Sequence, residues 1–586
     1  MVDIRPPGVY VERTQAANPS LQLLPSGVPC FLGLTERGPT NEPVMVRSLR
    51  EFHDTFGSLD VGNYTEPAVE GFFLNGGKEC YVLRICHLFE RGRKEIATKA
   101  SVRLRDKNKA NTLTVSARAE GMWGNGIKIT VSYPPPKVST FITVDAKEGD
   151  TSVMVKSTYG FARGSLVKID DDVRAPSYRI LTRVDGRTLQ WDHREPLERE
   201  FKSMAPTMIE PVGFDLIAET HNEREVFRGL NLQRNSPWFA ERVINGNSKL
   251  LEVTNLDSAS SMPENLPVAV EKNLLEGGTD GLYTVTAEDF LGADLGPGNR
   301  YGLAGIAELD AMDLLVAPDL VWCLQNSSGF KSVKDMEIVQ QAIVTQCEDQ
   351  KNRFAILDFP PDQKPRGAMQ WRRLFNSSFA AFYYPYVIPV GSHDRKPMPS
   401  SGHVAGVYAR CDHDMGVYRA PANEILEGVV DLELFLQQGD IAMLNAEGVN
   451  CSQVFANRGI RIWGGRTASG EPLLRHVNVR RTIAAITRAL NNGLQWVMFE
   501  NNNEDLWSVI SRDVSFFLDD LWRGGYLRGD SQDEAFYVRC NGQINGVAER
   551  DGGRLNVEVW LAPFRPAEFI GVRITQEVNV LARNED

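Results

Sequence analysis

Few stretches of this sequence place chemically useful residue types at spacings that chemistry can use. Ser392, His393 and Asp394 carry the three side chains of a hydrolytic triad. They are consecutive, however, and triad members come from separate elements whose side chains converge. Pro389 and Pro397 flank them as in a surface loop, and no G-x-S-x-G elbow occurs. Cys411, Asp412, His413 and Asp414, with His403 upstream, offer sulfur, nitrogen and oxygen donors. Consecutive residues rarely converge on one ion, and no second Cys/His pair or H-E-x-x-H completes a ligand set. Gly71–Glu79 (GFFLNGGKE) comes nearest to a phosphate-binding loop. Its glycine spacing is wrong, and Glu79 stands where a magnesium-binding Ser or Thr belongs, so it reads as a helix end and turn. The glycine-rich LGPGNRYG at 295–302 lacks the order of a dinucleotide site and reads as a loop. The expectation is a chain that is not an enzyme, with no catalytic residue, no metal and no cofactor.

The elements around these residues are clearer than the residues themselves. Cys80–Ile85, Leu314–Val316, Ala355–Leu357 and Phe379–Tyr384 are short apolar runs of the kind that form buried strands. Between two of them, Val333, Met336, Val339 and Ile343 have helical spacing over Val333–Gln346, and strand alternating with helix predicts a parallel α/β layer. Leu113, Val115 and Ala117 alternate, as do Ile127, Ile129 and Val131, and the turn GMWGNG joins the two runs. Toward the C-terminus, Val479, Ile483, Ile486 and Leu490 form a helical stripe that Asn478 is placed to cap. A second helix, about 504–523, carries Leu506, Ile510, Val514, Phe517 and Leu521, with Glu504 and Asp505 in its first turn and Gly524-Gly525 at its end. Three alternating strands follow: Phe536–Cys540, Leu555–Leu561 and Ile570–Ile574.

Boundaries come from prolines and changes of pattern. Pro134, Pro135 and Pro136 cannot extend a ladder or a helix. After them, VMVKS, SLVKID, RILTRV and TLQW recur between Gly and Asp turns, which predicts a small all-β insertion over 138–206. The division expected is an N-terminal linker arm at 1–20, a middle domain in two parts at 21–137 and 207–395, the insertion at 138–206, a C-terminal core at 396–567, and an arm strand and tail at 568–586. Val9, Tyr10 and Val11 form a strand too short to stand alone.

The bulk numbers limit the function classes. With 586 residues the chain has room for several cores. Its 42% hydrophobic and 24% charged residues are ordinary for a globular protein. A net charge of −12 argues against broad nucleic-acid binding, though a local basic face stays open. Neither a signal peptide nor an apolar run long enough to span a bilayer is visible, so cytoplasmic synthesis without membrane insertion is expected. Eight cysteines without a C-x-x-C pair, several inside apolar runs, read as buried thiols.

Several segments together resemble the tail sheath family of contractile phages and phage-derived injection systems. They are PPGVYVE near the start, ARAEGMWGNGIKITV at 117–131, FDLIAE at 214–219, LEGGTDG at 275–281 and SSGHVAGVYARCDHDMGVYRAPAN at 400–423. LNAEGVN, RGIRIWGGRT, VNVRRT, LQWVMFENNNEDLW and LAPFRPAEFIGVRI then follow in family order. The likeness covers nearly the whole chain outside 138–206. It implies an α/β and α+β multidomain fold, with a subtilisin-like, non-catalytic middle domain and the β module as a variable outer domain. It also implies a structural subunit that polymerises as stacked hexameric rings in a helical sheath around an inner tube, with baseplate and terminal cap proteins as further partners, in a virion or phage tail-like particle. Val9, Tyr10 and Val11 at one end, and Ile570, Val572 and Ile574 at the other, would be arm strands that join neighbouring subunits. Arg480, Arg481 and Arg488, off the apolar stripe of their helix, would be candidates to face the tube. The rival readings are a baseplate component that does not contract and an α/β hydrolase.

Overall fold

A computed structural model of the protein describes residues 21–88, 96–296, 298, 300–391 and 395–564, together with the backbone of two short strands at 570–572 and 575–576. It is a mixed helix and sheet structure. Its largest element is an eight-stranded sheet in the order Val44–Val46, Cys80–Arg84, Pro29–Gly33, Leu314–Val316, Phe354–Leu357, Ala380–Tyr384, Val449–Phe455 and Gly459–Trp463. The six inner strands run parallel and the two outer ones antiparallel. Every residue of the strands PCFLG, CYVLR, LLV, FAIL and AAFYY is buried. That is why they read as unbroken apolar runs: a parallel sheet covered on both faces leaves no position for a polar alternate.

Two helices show how tightly this sheet is covered. Thr65–Leu74 packs along Ser401–Asp414, where Ser401 through Ala409 are all buried. A Cβ placed on Gly402 would lie 2.4 Å from the Ala68 carbonyl oxygen, and one on Gly406 2.4 Å from that of Phe72. The G-x-x-x-G spacing therefore lets the backbones approach to a distance that no other residue type permits. The helix expected at Val333–Gln346 runs Val333–Gln350, capped by Ser332 and Asp335. The Gly71–Glu79 stretch is, as expected, the end of the Thr65–Leu74 helix and a turn into Cys80–Arg84.

The two alternating runs on either side of GMWGNG form strands, Asn111–Ala117 and Lys128–Ser132, but they are not a hairpin. The turn is a 3-10 helix, Met122–Gly126, that carries the chain from a three-stranded sheet to a four-stranded one. Leu113, Val115, Ala117, Ile127, Ile129 and Val131 still meet in one core, because the two sheets face each other.

Residues 140–211 form a six-stranded antiparallel sheet in the order Thr140–Phe141, Met208–Pro211, Leu166–Asp170, Ser177–Asp185, Thr188–Trp191 and Ser152–Met154. The first and last strands meet at the Ile142–Val155 bridge, with Thr143 N–H donating to the Met154 carbonyl and Lys156 N–H to that of Phe141. The sheet thereby closes into a barrel, filled by Val153, Val155, Val167, Ile169, Leu181, Leu189 and Ile209. Its strand Met208–Pro211 lies beyond the 206 boundary read from the sequence.

The C-terminal unit holds the helices Val477–Gly493 and Glu504–Arg523 against the sheet Phe536–Arg539, Glu558–Leu561 and Ile570–Val572. Asn503 caps the second helix by accepting from Leu506 N–H. Asn478 does not cap the first. That helix starts at Val477, and the Asn478 amide donates instead to the Tyr418 carbonyl.

Candidate assembly junction

The described residues begin with an extended strap, LQLLPSGV at 21–28, that touches the C-terminal unit, Asp313 beside the large sheet, and Arg488. Leu21 and Leu23 pack against the core of the C-terminal unit. Leu21 lies so close to Gly493 that a Cβ there would be 2.2 Å from its Cδ2. At the other end of the strap, Gly27 N–H and Val28 N–H donate to the two oxygens of Asp313, at 3.1 and 2.7 Å. Asp313 immediately precedes the buried strand Leu314–Val316 of the large sheet.

Arg481 completes this junction from the C-terminal unit. Its guanidinium donates in bidentate fashion to Asp412, at 2.8 and 2.5 Å, and reaches Asp313 at 3.0 Å. It also lies over the Tyr408 ring, 4.7 Å from the centroid. All three charged groups are buried. Burial opposes the arginine's charge, but Asp412 and then Asp313 outweigh it, so its pKa lies above the ordinary value. Two turns further, Arg488 donates to the carbonyls of Pro25 in the strap and Asp310 in the loop before Asp313. The junction thus ties four segments far apart in sequence: the strap, the Asp310–Asp313 loop, the end of the Ser401–Asp414 helix and the Val477–Gly493 helix.

This placement corrects the expectation for the arginines. Arg481 and Arg488 are buried and bonded to the chain's own groups instead of facing out. Arg480 lies over the Phe379 ring, 4.2 Å from its centroid, and donates to the Ser378 hydroxyl. All three sit off the apolar stripe, as the sequence suggests. That side of the helix meets the large-sheet body, so it is a second buried face. Charge alone could not distinguish a solvated face from a buried one carrying its own counter-ions.

The arm residues divide differently. Val9, Tyr10, Val11 and Ile574 lie outside the described residues. Ile570 and Val572 belong to a short strand that pairs antiparallel with Glu558–Leu561 of the same chain, Leu561 opposite Ile570 and Val559 opposite Val572. Phe536–Arg539 pairs with the other side of Glu558–Leu561, and its own outer side has no strand partner among the described residues.

Of the chemistry-bearing residues, Ser392, His393 and Asp394 lie outside the described residues. In the Cys411–Asp414 cluster, Asp412 is held by Arg481, Cys411 is buried, and the His413 ring lies 2.6 Å from Lys78 Nζ. All eight cysteines are buried and free, and burial pushes thiols such as Cys30 and Cys347 up to about 12.

Three buried acids were not singled out from the sequence. Asp313 is described above. Asp319 accepts from Leu34, Tyr64 and Thr65 N–H, the Thr65 hydroxyl and the Asn63 amide, which pins the loop after Pro29–Gly33 to the start of the Thr65–Leu74 helix. Asp358 accepts from the Ser401 hydroxyl at 2.5 Å, at the start of the buried helix. Burial raises the Asp358 pKa to about 7, against the opposing effect of the Ser401 bond. Next on that helix, His403 is fully enclosed with its ring against Gly71, and burial lowers its pKa to about 4. Among the described residues no hydrogen bond joins His403 to Ser401, so the pair lacks the base–nucleophile contact of a hydrolase. The signal available for all three acids was an Asp bracketed by apolar residues or proline: MDL, PDL and LDF.

Comparison with known proteins now bears on these features. The phage tail sheath protein central domain matches residues 329–468, and the phage tail sheath C-terminal domain matches 469–577. Both matches are to domains of phage tail sheath proteins, and together they run over residues 329–577. The junction helix Val477–Gly493 falls inside the second domain, and Asp358, Ser401 and Asp412 fall inside the first. A tail sheath protein of Burkholderia phage BcepMu is 28% identical over 271 residues, which cover 42% of this chain and 53% of the relative. A tail sheath protein of Vibrio phage KVP40 is 23% identical over 177 residues, covering 30% and 26%. The chain thus spans about half the length of the first of these relatives and about a quarter of the second. Among solved structures, a sheath tail protein from Listeria innocua matches with a TM-score of 0.56 at 11% identity, covering 96% of this chain and 97% of that one. The helical sheath of the anti-feeding prophage, in its contracted state, matches with a TM-score of 0.51 at 19% identity, covering 98% and 100%. These two likenesses show a shared fold along nearly the full chain.

Proposed function

We propose that this chain is the sheath subunit of a contractile, phage tail-like injection machine. In this reading, copies stack as hexameric rings in a helical array around an inner tube, between a baseplate and a terminal cap, and contraction drives the tube forward. The observation that carries the reading is that the described residues nearest to both ends of the chain lie in the C-terminal unit. The strap packs Leu21 and Leu23 into its core, and Ile570–Val572 lies in its sheet. Arms rooted in one unit can link neighbours while the rest of each subunit moves as a body. The buried Arg481–Asp412–Asp313 junction would keep that unit locked to the central sheet during the movement, a rigid-body transition between two packings.

The arms would act by strand addition. Phe536–Arg539 offers an open edge, and main-chain pairing links copies strongly while tolerating sequence change. The Val9–Val11 segment of one copy would pair there, with Ile570, Val572 and Ile574 contributing the second arm. The parallel, fully buried sheet supports a subtilisin-like middle domain without hydrolytic function. The closed barrel supports an outer domain inserted between Pro136 and Val212, with no part in the strand network.

Proline at Val11 tests the arm reading, since it removes a ladder donor while touching no described core. The variant should stay folded by circular dichroism and fail to form long tubes in electron micrographs. Tubes of normal length and normal contraction would exclude strand addition by this arm.

A further inference from the structure

One part of the surface has a charge opposite to the rest of the chain. Residues 96–109 contain five lysines and arginines against one acid, in a protein whose net charge is −12. Within this stretch, Ser101–Arg105 is a strand on which Arg103 and Arg105 are exposed while Leu104 between them is buried, so both arginines stand on one face. The turn that follows adds the exposed Lys107 and Lys109, the latter at φ 66°. Among the described residues, none of these four side chains has an ion-pair or hydrogen-bond partner. The turn's one acid, Asp106, is directed inward, where it accepts from Asn108 and Ala110 N–H and from the Ser258 hydroxyl. Across the sheet face, Arg103 is opposite Thr114, a neutral hydroxyl.

A complementary surface lies elsewhere on the same chain. Residues 500–534 carry nine acids against three arginines. Two of those arginines are already matched, Arg512 with Asp513 and Arg523 with Asp519. Glu504, Asp505 and Asp520 are exposed on the outer side of the Glu504–Arg523 helix, and their carboxylates have no partner among the described residues.

We propose that the Arg103–Lys109 face is a contact surface for a second copy of this chain, docking on the acidic face around Glu504, Asp505 and Asp520. The inference rests on the self-assembly reading above and adds to it a specific lateral contact. Contact between two unlike patches on identical copies is heterologous. It does not close a pair, and it propagates into a ring or an open helix. Charges at its rim set register and encounter rate and are screened by salt, so such a contact is adjustable without being permanent. A nucleic acid or an anionic lipid surface would use the same cations. The acidic face supplied by the chain itself favours the second copy.

A charge-swap experiment on the full chain tests this. Arg103→Glu/Arg105→Glu and Asp505→Lys/Asp520→Lys are each compared with the unaltered chain by circular dichroism, sedimentation velocity and electron microscopy, at low and high salt. Each double variant should fold normally and raise the concentration needed for assembly by about tenfold or more. Mixing the two variants should restore assembly, because each supplies the surface the other lacks. If the arginine variant assembles like the unaltered chain at every salt concentration, the contact does not exist. If the mixture stays unassembled, the two faces are not partners. Binding to vesicles with anionic headgroups or to duplex DNA that the arginine variant loses, with assembly intact, would reassign the face to that ligand. An unaltered chain that never assembles would overturn the self-assembly reading and this inference with it.

Discussion

Arg481 and Asp412 meet inside the protein through two hydrogen bonds, and Asp313 shares the same guanidinium from a third segment. Removing the arginine would leave two carboxylates buried without a counter-charge. Arg481→Ala should therefore destabilise the fold by about 3–5 kcal/mol, the usual cost of breaking one side of a buried ion pair. Chemical denaturation of the full chain measures it. Arg480→Ala, which loses one ring contact and one bond to Ser378, should cost much less.

The buried helix makes a second prediction, on pH. Folded Asp358 keeps its proton up to about 7, whereas an unfolded aspartate releases it near the ordinary 3.8. The folded state thus binds the extra proton between those values, so this group's contribution falls as pH rises from about 4 to 7. His403 acts in the opposite direction. Its folded pKa of about 4 against 6.5 unfolded means that its contribution is lost as pH falls through the same window. In the unaltered chain the two slopes oppose each other. Asp358→Asn should remove its opposing slope, so that relative to the unaltered chain stability drops more steeply on acidification, by up to about 1.4 kcal/mol per pH unit. Denaturation midpoints measured from pH 4 to 7 on both proteins decide it, and an unchanged profile would contradict the burial of one or both groups.

Gly402 and Gly406 set the spacing between two buried helices. Either glycine changed to alanine gains helix propensity and loses fit, and the backbone oxygens at 2.4 Å cannot move aside as a flexible side chain can. The net effect should be destabilising, about 1–3 kcal/mol, read as a lower melting temperature. Gly439, with nothing within 4 Å of its Cβ position, is the control and should be neutral or better.

The barrel gives a fourth test. Excision at 138–206 would leave Met208–Pro211 without its partners Thr140–Phe141 and Leu166–Asp170. That variant should be insoluble, whereas excision of 138–212 with a short linker should yield soluble protein. Expression yield and size-exclusion profile distinguish the two, and equal solubility would mean that the Met208–Pro211 strand is not integral to the barrel.

Much of this architecture was legible in the sequence, for identifiable reasons. The strands Leu314–Val316 and Ala380–Tyr384 read clearly because complete burial leaves only apolar residues. The Glu504–Arg523 helix read clearly because one face is wet, which makes its stripe visible. Thr140–Phe141 and Met208–Pro211 are short and close a barrel through backbone pairing, which has no side-chain signature. The arginines of Val477–Gly493 were read as facing outward because partners 69 and 168 residues away cannot be seen from local pattern. The same limit hid Asp313, whose donors Gly27 and Val28 are more than 280 residues distant.

Under the proposed self-assembly, the Ile142–Val155 bridge has a further consequence. A single exposed strand edge is a minor hazard on a monomer. Repeated along a tube, the same edge would face its counterparts on every neighbouring tube, and avidity multiplies weak pairings by orders of magnitude without any new contact. Two backbone hydrogen bonds at one seam remove that hazard from the barrel and leave its outer loops free to vary, because none of them is needed to hide an edge. Tubes built from such a chain could crowd side by side without fusing.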